Sequence, residues 1–137
     1  MNKMKLFFWM CFPFCFLVGN EIKISQSENQ KPKSDIPSSI PPDFNREVRS
    51  ILENTCISCH GVDSQKGGLR LDTLDFALLG GDSGPALVPF NTEESILLER
   101  IHLPPDDDEA MPPKDGPLSA NQKEILDRWV ATGANWP

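Results

Sequence analysis

Cys56-Ile57-Ser58-Cys59-His60 is the stretch around which the rest of this 137-residue sequence is read. Two thiols three positions apart, with an imidazole directly following, form the C-x-x-C-H pattern of covalent haem attachment. On a turn of helix each sulfur can form a thioether to a haem vinyl group, and the adjacent His swings beneath the iron as its proximal ligand. Three other readings of the pattern are weaker. A thioredoxin-like C-x-x-C follows a strand and opens a helix, whereas these cysteines close a helical pattern in a chain without strand patterning. A structural zinc site needs two more ligands; the only histidines are His60 and His102, and His60 is too close to Cys59 for the usual paired spacing. A disulfide closing so short a loop removes little chain entropy.

Working outward, Asp43 can cap a helix in which Phe44, Val48, Ile51, Leu52 and Thr55 recur at helical spacing up to about Cys56. Downstream of Gly67-Gly68, a short second helix is expected over Asp72 to Leu79, with Leu74, Ala77 and Leu78 on one side and Gly80-Gly81 as its stop. Asn91-x-x-Glu94 reads as a capping box ahead of Ile96, Leu97, Arg100 and Ile101, a third helix ended by Pro104-Pro105. Ser119-x-x-Gln122 repeats that signature before Ile125, Leu126, Trp129 and Val130, and Gly133 ends the fourth helix. Phe44 and Trp129 fall on the apolar faces of the first and last helices, where packing is their expected role.

The ends and the composition bound what the chain can do. Lys3 and Lys5 precede thirteen uncharged residues, Leu6 to Val18, closed by Gly19-Asn20. That is the layout of a secretory signal peptide, expected over residues 1–20. A membrane span needs about 20 apolar residues, and Pro13 interrupts this shorter run. Cys11 and Cys15 lie inside it and are set aside as functional thiols, leaving Cys56 and Cys59 in an exported, periplasmic or extracellular chain. Residues 21–42 are polar and rich in Ser, Pro and Lys, a linker expected to be disordered, and residues 43–137 form the single domain. The net charge of −7 disfavours nucleic acid and anionic membrane surfaces as partners, and no stable membrane insertion is expected once the signal is removed. Thirteen prolines and nine glycines point to short helices separated by breakers.

A haem that shuttles electrons without binding oxygen needs a second axial ligand. Met111 is favoured: it is the only methionine beyond the signal segment, and Pro112-Pro113 fix the backbone beside it. His102, at the end of the third helix, is the other candidate; its default role is pairing at the surface or with the helix dipole. Lys66, Arg70 and Arg100 are candidates to neutralise haem propionates, with surface exposure the default for each. Asp106-Asp107-Asp108-Glu109 reads as a solvated loop, or as a patch steering a basic redox partner; nothing resembling EF-hand spacing supports calcium there. Gly81-Asp82-Ser83-Gly84 spells the nucleophile turn of chymotrypsin-like proteases, but that chemistry needs an earlier His and Asp on a far larger scaffold. A Gly-rich turn that lets backbone pass close to haem or helix is the better account.

Together with Cys56-x-x-Cys59-His60, several further stretches carry a resemblance. They are Gln65-Lys66-Gly67-Gly68-Leu69-Arg70-Leu71-Asp72, Gly80-Gly81-Asp82-Ser83-Gly84-Pro85-Ala86, Ser95-x-Leu97, Met111-Pro112-Pro113 and Gly133-Ala134-Asn135-Trp136-Pro137. The run from Phe44 to Trp136 resembles the planctomycete-type cytochrome c domain. The resemblance implies one covalently bound haem c, with His60 as proximal and Met111 as distal ligand. It also implies an exported protein in which this domain usually precedes much larger ones, whose activities are not carried over to a sequence that stops at Pro137. The expectation is a small all-α domain of about four short helices, with long loops around a haem that completes the core. Its function would be one-electron transfer, as a carrier rather than a catalyst. The alternatives are a haem-based module that binds or senses a small ligand, or the amino-terminal haem module of a longer exported protein.

Overall fold

Asp43 starts the first helix with its own side chain: the carboxylate accepts from the Arg46 N–H at 3.1 Å, and the Asp43 N–H in turn donates to the Glu47 carboxylate at 2.8 Å. The resulting helix α1 occupies residues 44–56 as three consecutive stretches, Phe44–Val48, Arg49–Ile51 and Leu52–Cys56. The outer two are wound as π-helix, so that the Arg49 N–H reaches the Phe44 carbonyl and the Ile57 N–H reaches that of Leu52. Phe44, Val48, Ile51 and Leu52 are buried along one face, as their spacing requires. The computed structural model describes residues 39–113 and 116–137. The expected signal peptide, Cys11 and Cys15, and the expected linker up to residue 38 lie outside the described residues.

Helix α2, Leu74–Leu79, is capped by the Thr73 hydroxyl and stopped by Gly80, whose φ of 80° an L side chain adopts only under strain. It starts two residues later than expected, because Thr73 is extended and serves as the N-cap, while the Asp72 carboxylate pairs with Arg70. Its packing face is also narrower than expected: Ala77 is buried, but Leu78 and Phe76 are each 37% exposed. Six residues make less than two turns, which leaves a single stripe to bury.

Helix α3, Ile96–His102, corrects the capping assignment. The Asn91 side chain does accept from the backbone, but from both Glu93 and Glu94 N–H groups, closing a turn ahead of the helix. Ser95 is the N-cap residue. Helix α4, Ala120–Ala131, carries the full reciprocal capping box of Ser119 and Gln122.

These helices pack through their apolar stripes. Phe44 of α1 meets Trp129 of α4 with ring centroids 5.9 Å apart, and Trp136 closes the cluster at 4.7 Å from Phe44 and 5.7 Å from Trp129. The Trp129 indole N–H donates to the Asn135 carbonyl at 3.0 Å, so burying this ring leaves no polar group unpaired. Leu97, Leu98 and Ile101 of α3 join Leu126 of α4 in the same core, with Ala86 and Leu87 contributed by the loop between α2 and α3. No strand occurs among the described residues; only the isolated bridges His60–Gln65 and Gly81–Gly84 are present. The fold is a small all-α domain. None of its described helices is long and apolar enough to cross a membrane.

Candidate functional site

The C-x-x-C-H residues sit where α1 ends. The Cys59 and His60 N–H groups both donate to the Cys56 carbonyl, at 3.1 and 2.9 Å, so the helix tightens into a turn as the motif is traversed. Three further backbone bonds hold that turn. The Lys66 N–H donates to Cys59 at 3.0 Å, Leu71 to His60 at 2.7 Å, and Gly61 to Ser64 at 2.8 Å. Gly61 is a position that sequence reasoning missed. It is buried, and a Cβ there would lie 2.5 Å from the Ile57 carbonyl oxygen, so the backbone after His60 passes where no other residue fits.

A cavity of about 330 Å³ lies against this turn and is lined by Cys56, Cys59, His60 and Met111 together. Its walls are mainly apolar, with Leu71, Ala86, Leu97, Ile101, Leu118 and Leu126 among them. Both cysteines are free thiols. Burial pushes the Cys56 thiol up to about 11, so it stays protonated at neutral pH, the opposite of the depressed thiol of a redox-active C-x-x-C. Burial also lowers the His60 imidazole below its ordinary value; the nearby Lys66 charge acts the same way, and the backbone of Lys66 and Leu69 opposes it. His60 Nδ1 is buried without a hydrogen-bond partner. Among the described residues no group of three or more His, Cys, Asp or Glu is arranged to hold a metal ion.

An apolar cavity of ligand size, two unlinked thiols at the end of a helix, a neutral imidazole and a thioether form a donor set that fits a haem. Met111 is 37% exposed, and its N–H donates to the Arg100 carbonyl at 3.0 Å, tying the loop after α3 to that helix. His102 is elsewhere. Its Nε2 lies 2.9 and 3.0 Å from the two Asp127 carboxylate oxygens, a link between α3 and α4 outside the cavity lining.

The three candidate cations are likewise separated. Lys66 and Arg100 line the cavity. Arg70 does not: it forms a forked pair with Asp72, at 2.9 and 2.6 Å, and its guanidinium lies 3.8 Å from the centroid of the Phe76 ring. The Gly81–Gly84 turn does line the cavity, closed by reciprocal backbone bonds of 3.0 Å between Gly81 and Gly84. Its Asp82 N–H donates to Gly67 at 2.8 Å, and a Cβ on Gly81 would collide with that same carbonyl. The close backbone approach expected of this turn is therefore made to the 66–68 segment.

Residues 56–115 match the family described as planctomycete cytochrome C. No curated protein and no solved structure matches the chain.

Proposed function

We propose that the chain, whose residues 56–115 match the planctomycete cytochrome c family, carries one covalently attached haem c and transfers single electrons outside the cytoplasm. The observation that carries this reading is the convergence of Cys56, Cys59, His60 and Met111, from two well-separated segments, on one apolar-walled cavity. When bound, the haem supplies a ferric–ferrous couple. Cys56 and Cys59 would hold it by thioethers, and His60 and Met111 would ligate its iron. An iron ligated by both side chains would offer no open site to a substrate, which favours a carrier over a catalyst.

Export rests on the amino-terminal pattern of Lys3, Lys5 and the apolar run 6–18. The fitting partner is a basic redox protein. Asp106 to Glu109 are exposed, Asp108 and Glu109 border the cavity, and the chain carries −7 overall, so encounter should slow as salt rises. A second reading is favoured by one feature: Met111, partly exposed, also borders a smaller cavity of about 190 Å³. A thioether able to move aside would make the module a binder of small gases.

Absorption spectra of protein exported together with haem-maturation machinery test both readings. Reversible oxidation and reduction of a c-type spectrum, with no fast carbon monoxide binding to the reduced form, is the expected result. Rapid carbon monoxide binding transfers the assignment to the gas-binding reading, and absence of any Soret band refutes both.

A further inference from the structure

Arg100 is attached to the loop ahead of Met111 at two points. Its backbone carbonyl accepts the Met111 N–H at 3.0 Å, and its guanidinium forms an ion pair with Glu109, two residues earlier. The Arg100 side chain is only 19% exposed, whereas that of Glu109 is 67% exposed. The carboxylate therefore reaches from the loop surface onto a largely covered cation. The rest of the loop is held by short-range contacts within itself: Asp107 N–H to Pro104, Ala110 N–H to Asp107, and the Glu109 N–H to the Asp107 carboxylate at 2.8 Å. Among the described residues, the Met111 backbone bond and the Arg100–Glu109 pair are thus the two polar ties between this loop and α3. Ile101, Met111 and Pro112 border both the larger and the smaller cavity, so the thioether has empty space on a second side.

We propose that Arg100 and Glu109 form a clasp that positions Met111 at the larger cavity, and that releasing the clasp lets the thioether leave its place. The inference rests on the assignment of Met111 as distal ligand. Arg100 and Glu109 are positioning residues: neither donates to the iron, and both act through the loop. An ion pair with one partner largely covered is more costly to break than an exposed one, since the remaining charge keeps its desolvation cost.

The test uses the haem-loaded protein and the variants Glu109→Gln, Arg100→Gln and the double variant, with Glu124→Gln as control. That substitution removes the same charge from an exposed position of α4 that borders neither cavity. The readouts are the methionine-to-ferric-iron charge-transfer band and the rate of carbon monoxide binding to the reduced protein, with the far-UV spectrum confirming that the helices are retained. Either single variant should weaken the band and raise the carbon monoxide rate about fivefold to tenfold, a shift within reach of such a pair. The double variant should do no more than either single one, because the two residues act as one unit. The control should match the parent protein. A parent protein without the band overturns the Met111 assignment and the clasp with it. A parent with the band whose Glu109→Gln variant keeps both band and rate, or single effects that add in the double variant, overturns the clasp alone.

Discussion

Ser95 has no solvent exposure, and its hydroxyl accepts from the Val88 N–H at 2.9 Å while donating to the Asn91 carbonyl at 2.7 Å. One side chain therefore satisfies two backbone groups of the 88–91 turn. Ser95→Ala leaves them unpaired in a dry setting and should cost about 1–3 kcal/mol, read as a lower urea midpoint with an unchanged slope. Asp72 carries the acid-side dependence. The hydrogen bond from Arg70, with its charge, holds the Asp72 carboxyl below its ordinary 3.8, so the native state favours the ionised form. Stability from this pair is fully present above that ordinary value and is lost as pH falls through the lower native one. The gap in urea midpoint between parent and Asp72→Asn should hold at neutral pH and close in that acid window; a gap indifferent to pH would contradict the assignment. The attachment motif was legible because its chemistry requires neighbours in sequence. Gly61, Ser95 and the Arg100–Glu109 pair were not, since each depends on what the fold brings close.

Helix α4 shows what an element's sequence can specify locally. Ser119 and Gln122 satisfy each other's end of the capping box at 2.9 and 3.3 Å, and the apolar stripe through Leu126, Trp129 and Val130 is buried. Removing the cap with Ser119→Ala should cost about 0.5–2 kcal/mol, measurable by thermal unfolding of the loaded protein. The similar pattern at Asn91-x-x-Glu94 misleads for a physical reason. Asn91 satisfies two N–H groups in a turn, and no reciprocal bond from Glu94 follows, so the cap falls four residues further on, at Ser95, and the helix begins at Ile96. Helix α2 was legible in its existence and stop signal but not in its buried face. Over six residues, a helical period leaves Leu78 as eligible for the core as Ala77, and only the neighbouring loops decide.

At the scale of the molecule, α1 and α4 are joined through Phe44, Trp129 and Trp136, while the side of the core facing Cys56 and His60 opens onto the cavity. Wall residues such as Leu71, Leu97 and Leu126 lack partner atoms there unless a ligand supplies them. Protein matured without haem should therefore unfold at lower urea, with a broader transition, and bind hydrophobic dyes more strongly than the loaded form. An apo protein as cooperative as the loaded one would show that the polypeptide core suffices. The all-α class followed from breaker-separated helical periods, and Met111 from its being the only methionine beyond residues 1–20. The separation of Arg70 from the cavity could not be read that way, because Lys66, Arg70 and Arg100 are equivalent as cations until the chain is folded. The most direct test of the account is the mass of the denatured chain after export with haem-maturation machinery. One haem retained by the parent protein, and none by Cys56→Ala/Cys59→Ala, is the predicted result; a parent chain at its bare polypeptide mass would contradict it.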